Sequence, residues 1–440
     1  MEAAIANVDL GRYRRIVQMF WDPEPSNDTT QDQPVWCLGR QYKVSDTVPT
    51  KVVDSGAHTP PSAPHLASDL FSNLESEVEA DQKDASPPPP PPPANAPETP
   101  PESISSSFSS SLAYDDPAAD GGWPPAFLAD FECKFWMTYR SEFEPIPRAT
   151  NPQATSALSF SMRLKSQLGD QGDFSSDSGW GCMIRSGQSL LANTMAMISL
   201  GRDWRRGISV QEERQLVSAF ADDPRAPYSI HSFCYCRALA NSHEPSLRVY
   251  STGDGPDVYE DEFMKIAKPQ GEEFHPTLIL VGTRLGIDKI TPVYWEALIA
   301  SLQMHQSVGI AGGRPSSSHY FIGAQGSFLF YLDPHHTRTA LPYHEDPNQY
   351  TDEEVGTCHT SRLRRIHVRE MDPSMLIGFL IRSEEDWRDW RRCVNHVQGK
   401  AIIHVADHNP LLGGQAEGRQ SAIDEVEPLS DDDADTVHEA

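Results

Sequence analysis

The sequence predicts an α+β domain flanked by disordered segments, and three observations carry that reading. Between residues 123 and 400, helical-period apolar patterns alternate with short apolar runs of strand length. Residues 44–122 turn instead to Ser, Pro, Asp and Ala, with unbroken prolines from Pro87 to Pro93 and a Ser-rich stretch from Ser103 to Ser111. Residues 401–440 form an acidic tail ending in Ser430-Asp431-Asp432-Asp433-Ala434-Asp435. Both flanks hold too few large apolar residues to offset the conformational entropy of ordering, so both are expected to stay unfolded.

The elements follow in order. Met183, Ile184, Leu190, Leu191, Met195 and Ile198 recur at helical spacing and Gly201 follows as a stop, which predicts a helix beginning at Cys182. Leu278-Ile279-Leu280-Val281 suits a buried strand, after which Thr291 and Pro292 open a helix as N-cap and first-turn residue. Aromatic-rich runs at 319–322 and 328–332, separated by Gly323-Ala324-Gln325-Gly326, predict a hairpin with a short glycine loop. Residues 376–381 add a strand, and Ser383-Glu384-Glu385-Asp386 caps a final helix carrying Trp387 and Trp390. No internal repeat is present.

Bulk properties exclude several classes. A net charge of -27 argues against a general nucleic-acid binder, which needs clustered Lys and Arg, and favours partners with basic faces. No run of eighteen apolar residues occurs, and arginines interrupt the apolar stretch of residues 1–20 where a signal peptide has an unbroken core. Seven irregularly spaced cysteines do not form a secreted disulfide framework. A soluble intracellular protein is expected.

The most informative stretch is Ser176-Asp177-Ser178-Gly179-Trp180-Gly181-Cys182-Met183-Ile184-Arg185-Ser186-Gly187-Gln188. A cysteine in the first turn of a helix faces unpaired N–H groups and the positive end of the macrodipole, which favour thiolate. The Cys182 amide itself can donate to an oxyanion. A buried helix-start cysteine with no chemistry is the plainer reading. For a base, Tyr331-Leu332-Asp333-Pro334-His335-His336 places Asp333 and His335 two residues apart, on one side of an extended backbone, so the carboxylate can orient the imidazole. His336 and His319 are rivals, and the residues alone do not choose among the three. His231, Cys234, Cys236 and His243 form a compact group, but Cys-x-Cys with loosely spaced histidines is an unusual zinc arrangement. No metal is expected.

Gly179-Trp180-Gly181-Cys182-Met183-Ile184-Arg185-Ser186-Gly187-Gln188 resembles the nucleophile motif of the autophagins, the autophagy-related cysteine endopeptidases. Residues 312–323, from Gly312-Gly313-Arg314-Pro315-Ser316-Ser317 through His319, and residues 331–335 resemble that family's second block. The similarity takes in residues 34–40, 135–140, 201–204, 280–298 and 372–390. The resemblance implies a papain-like fold with a small added subdomain. It makes Cys182 the nucleophile, His335 the general base and acid, and Asp333 its orienting carboxylate, which selects among the histidines. Tyr139 becomes the hydroxyl that supports the oxyanion hole beside the Cys182 amide. Arg314, Pro315, Ser316 and Ser317 match the loop that covers the entrance and lifts for substrate. Residues 1–43 then pack in part on a catalytic domain at 123–400, and residues 44–122 are an insertion.

The implied reaction is cleavage after the C-terminal glycine of a GABARAP-like ubiquitin-fold modifier, and release of the same modifier from phosphatidylethanolamine, without a cofactor. A monomer in the cytoplasm is expected, recruited to autophagosome-forming membranes, touching membrane only through the lipidated substrate and with the nucleus open to it. One departure stands out. After Tyr228-Ser229-Ile230-His231-Ser232-Phe233 the family carries a segment with a Gly-Glu-Trp-Phe-Gly-Pro-like core, and here the chain passes through Cys234-Tyr235-Cys236-Arg237 instead. An internal deletion near 234–237 is therefore expected, with a catalytically impaired modifier-binding protein as the alternative function. Phe71 and Leu74, in Asp69-Leu70-Phe71-Ser72-Asn73-Leu74-Glu75, have the aromatic-x-x-aliphatic form that adds a strand to a modifier's sheet edge.

Overall fold

Nine strands form the main sheet of the computed structural model, which describes residues 24–27, 33–43, 121–147, 173–232, 247–253, 255–269, 273–313 and 317–410. In chain order the strands are β1 (Val35–Cys37), β2 (Arg40–Tyr42), β3 (Arg140–Ile146), β4 (Phe174–Ser176), β5 (Arg248–Ser251), β6 (Asp257–Tyr259), β7 (Thr277–Arg284), β8 (Ser307–Gly312), β9 (His319–Gln325), β10 (Phe328–Leu332), β11 (Arg338–Thr339), β12 (Arg365–His367), β13 (Ser374–Ile381) and β14 (His404–Ala406). The main sheet runs β12-β10-β9-β8-β13-β7-β5, with β1 added to β9 and β2 to β1. Only β5 and β7 pair in parallel within it. Two small sheets, β11-β3-β4 and β14-β6, lie outside it.

The central strands are apolar on both faces because helices cover both. In β7, Leu278 and Leu280 enter one core with Leu190 and Leu191 of the long helix Cys182–Ser199, whereas Ile279 and Val281 enter another. In β13, Ile377 and Phe379 join that second core, with Trp387 and Trp390 of the final helix Glu384–Asn395. This is the period-two alternation of a strand read out as two cores. The long helix stops at Gly201, whose φ of 85° is left-handed. Ser383 caps the final helix by accepting from the Asp386 amide.

Three expectations shift. Gly323, Ala324 and Gln325 are strand, not loop, because β1 pairs with β9 at Trp36↔Ala324 and Cys37↔Gly323 and so extends it. A Cβ on Gly323 would come within 2.1 Å of the Trp36 carbonyl oxygen, so this approach requires glycine. Pro292–Tyr294 is a 3₁₀ turn leading into the helix Trp295–Gln303, and Thr291 makes no side-chain cap bond. The boundary at 401 is too early: Ile402 and Ile403 are buried in the second core, and β14 pairs in parallel with β6. An apolar pair with a place in the core outweighs the acidic composition around it.

At the other flank, the Asn27 amide donates to the Gly121 carbonyl at 2.8 Å, and Trp123 Nε1 donates to the Pro25 carbonyl at 2.8 Å. Pro25 and Asn27, before the 44–122 stretch, are thereby tied to Gly121 and Trp123 at its far end. Phe71 and Leu74 lie outside the described residues.

Candidate active site

Cys182 is the first residue of the long helix, with Gly181 as its N-cap, and is fully buried. A Cβ on Gly181 would fall 2.4 Å from Asp177 Oδ2, so only glycine lets that carboxylate sit beneath the helix start. The amides of this first turn have no carbonyl one turn earlier within the helix to bond, which leaves donors at the sulfur's position.

His335 and Asp333 lie just beyond β10, in a turn and not on the extended strand that the spacing predicts. Asp333 Oδ1 accepts from the His335 backbone amide at 3.0 Å and meets His335 Nδ1 at 2.5 Å. A short carboxylate loop onto the backbone two residues on is a favoured asparagine and aspartate geometry, and it delivers the same contact by a different route. The turn is held from one stretch of chain. Trp136 Nε1 donates to the Asp333 carbonyl at 2.7 Å, the Tyr139 amide to the Pro334 carbonyl at 2.8 Å, and Thr138 Oγ1 to the His336 carbonyl.

Tyr139 closes the group. Its ring meets His335 edge-on with centroids 5.4 Å apart, and its hydroxyl faces the Cys182 thiol and the Gly179 amide. Among the described residues the hydroxyl has no hydrogen-bond partner beyond those neighbours, and His335 Nε2 has none beyond the thiol. His336 points elsewhere, stacking on Trp136 at 6.2 Å. His319 stays close, with Nε2 3.8 Å from Asp333 Oδ1.

These contacts set the charges. Burial by itself raises the Cys182 thiol, but hydrogen bonds from His335, the Ser318 amide and Tyr139, with the His335 charge, bring it below the ordinary thiol value. Burial pulls His335 down, yet the Asp333 hydrogen bond and the Cys182 contact push it up to about 9. Burial raises Asp333, but the His335 hydrogen bond and the His319 charge hold it well below the usual carboxylate range. Burial, then Cys182, pushes the Tyr139 hydroxyl up, so it remains a donor. These contacts favour a thiolate beside an imidazolium, which puts acyl transfer within the site's reach.

Of the loop expected to cover the entrance, Arg314, Pro315 and Ser316 lie outside the described residues, while Ser317 is within them. Ser318 after it is buried, its Oγ 3.2 Å from Ser186 Oγ on the long helix. Cys234, Cys236 and His243 also lie outside, and His231 Nε2 meets the Glu144 carbonyl at 2.8 Å.

Residues 124–240 and 234–393 match the family described as the peptidase C54 catalytic domain. This chain belongs to the peptidase C54 family. Cysteine protease ATG4 of Gibberella zeae is 67% identical over 100% of both chains, and cysteine protease ATG4 of Pyricularia oryzae is 56% identical over 99% of both. Cysteine protease 1 of Neurospora crassa is 52% identical over 98% of this chain and 93% of its own. A C54 peptidase is a cysteine protease of papain-like fold. The two family matches overlap at 234–240, and the Gibberella alignment spans 479 positions against 440 residues here, so that relative carries residues this C54 chain lacks.

Sequence reasoning missed what supports the start of the long helix of this C54 chain. Asp177 accepts from the Arg140 amide at 2.6 Å and from Arg185 Nε at 2.6 Å. Arg185 Nη1 reaches Asp222 Oδ1 at 2.7 Å, and Asp222 Oδ2 takes the Leu341 amide at 2.8 Å. The four buried side chains, Arg140, Asp177, Arg185 and Asp222, come from three separate stretches, and Arg140 directly follows Tyr139. An arginine one turn past Cys182, among apolar helix positions, was the available signal.

Proposed function

We propose that this chain is the autophagy protease that cuts a GABARAP-like ubiquitin-fold modifier after its C-terminal glycine, and later frees the same modifier from phosphatidylethanolamine. The observation that carries the reading is the buried Cys182 at a helix start beside His335, whose other nitrogen meets Asp333 at 2.5 Å. The Cys182 thiolate attacks the glycine carbonyl, and the Cys182 amide and Tyr139 hydroxyl stabilise the oxyanion. His335 gives its proton to the departing amine, from a peptide or from the lipid headgroup, leaving a thioester. His335 then takes a proton from water, whose oxygen attacks the thioester and restores the thiol.

The buried position of Cys182 supports a glycine preference, since a residue without a side chain reaches it with least steric conflict. The name cysteine protease ATG4 carried by relatives supports the modifier as substrate. The same reading has the chain acting as a monomer in the cytoplasm, meeting membranes through the lipidated substrate. Among the described residues no helix is long and apolar enough to cross a membrane. The test is cleavage of a modifier with a C-terminal extension by this chain and by Cys182→Ser. Cleavage after glycine that vanishes in the mutant supports the proposal; binding without cleavage by either chain overturns it.

A further inference from the structure

His319 opens β9 next to the end of β10, with Tyr320 in register with Leu332. Its ring packs edge-on against Tyr331 at 4.7 Å and lies 5.2 Å from the His335 ring. Asp333 Oδ1 is shared: it meets His335 Nδ1 at 2.5 Å and His319 Nε2 at 3.8 Å. One ligand atom from each of His319, Asp333 and His335 lies within 4.8 Å of the others. Their side chains are 25%, 28% and 19% exposed, so a small cation can reach them.

We propose that His319, Asp333 and His335 form an inhibitory site for a zinc-class divalent cation. Tetrahedral zinc with nitrogen and oxygen ligands near 2.0–2.1 Å sets those ligand atoms roughly 3.3 Å apart. The His319 to Asp333 gap closes to this, and the Asp333 to His335 contact opens to it, by side-chain movements of less than an ångström. Two imidazoles and a carboxylate suit a borderline cation, whereas magnesium and calcium prefer oxygen alone. Binding takes the lone pair of His335 Nδ1, releases that nitrogen's proton to solvent, and breaks the hydrogen bond to Asp333. Water fills the fourth position. The imidazole so held no longer shuttles the proton for Cys182, and His319 takes no part in the acyl-transfer steps, so the two functions are separable.

The binding half stands apart from the proposed substrate; the inhibition half rests on the roles given to Asp333 and His335. Zinc is titrated calorimetrically into the full chain carrying Cys182→Ser, which removes the thiolate as a competing ligand. One equivalent is expected, magnesium produces no binding, and adding His319→Ala weakens zinc at least tenfold. His319→Cys, which restores a ligand, recovers the affinity, and thermal melting checks that each variant folds. In the cleavage assay, zinc inhibits reversibly on chelation, and His319→Ala requires at least tenfold more zinc for half inhibition. Equal zinc affinity with and without His319, or no zinc binding by the Cys182→Ser chain, overturns the proposal. Failure of modifier cleavage with zinc binding intact overturns the substrate reading and leaves the site standing.

Discussion

The Asp333 carboxylate meets both the ring nitrogen and the backbone amide of His335, because the two residues share one turn whose carbonyls are held by Trp136, Thr138 and Tyr139. The carboxylate fixes both the tautomer and the direction of the imidazole. Asp333→Asn keeps the shape but presents a donor where His335 Nδ1 requires an acceptor. We expect kcat to fall about 10³–10⁴-fold with little change in KM. Steady-state cleavage alongside a melting curve checks this; a loss below tenfold would remove Asp333 from the relay.

The thiolate–imidazolium pair gives a bell-shaped pH profile. Its acid limb lies below the ordinary thiol value, because Cys182 is lowered, and its alkaline limb lies near 9, where His335 loses its proton. The two steps belong to the pair. Alkylation of Cys182 by iodoacetamide follows the thiolate alone, so it rises through the acid limb and does not fall at 9. In His335→Gln the alkylation midpoint moves upward, toward the ordinary thiol. An unmoved midpoint would contradict the assignment.

Tyr139→Phe deletes a hydroxyl whose neighbours are the Cys182 thiol and the Gly179 amide. Loss of one oxyanion donor lowers kcat about 10²–10³-fold. Because this hydroxyl has no other partner among the described residues, the melting temperature is expected to hold. A variant with normal kcat would leave the Cys182 amide as the sole donor.

Asp222 is buried between Arg185 and the Leu341 amide, with Arg140 Nε at 3.7 Å. Asp222→Ala leaves two buried guanidinium groups short of a counter-charge. Breaking a buried pair in this way destabilises by about 3–5 kcal/mol, which urea denaturation measures. An effect under about 1 kcal/mol would show that water replaces the carboxylate without penalty.

Local chemistry made the long helix and the capped final helix legible, because apolar period and Ser383 act within a few residues. Asp333 and His335 were legible as a pair for the wrong local reason: a strand spacing and an aspartate turn both bring residues two apart together. The hairpin loop was misjudged because the residue that straightens Gly323 is Cys37, far away in sequence. Ile402 and Ile403 were lost to the composition of the tail around them. The motif offers Arg185 but not its second partner, since Asp222 and Arg140 reach that place only in the fold. His319 and His335 could be ranked only by resemblance, and the structure keeps both beside Asp333.

The bonds from Asn27 to Gly121 and from Trp123 to Pro25, with the pairing of β1 on β9, hold the N-terminal stretch to the rest of the fold by contacts that do not depend on the chain between them. A protein nicked between residues 44 and 120 is therefore expected to travel as one particle under native conditions and to part into two fragments only on denaturation, with Cys182, Asp333 and His335 still in place.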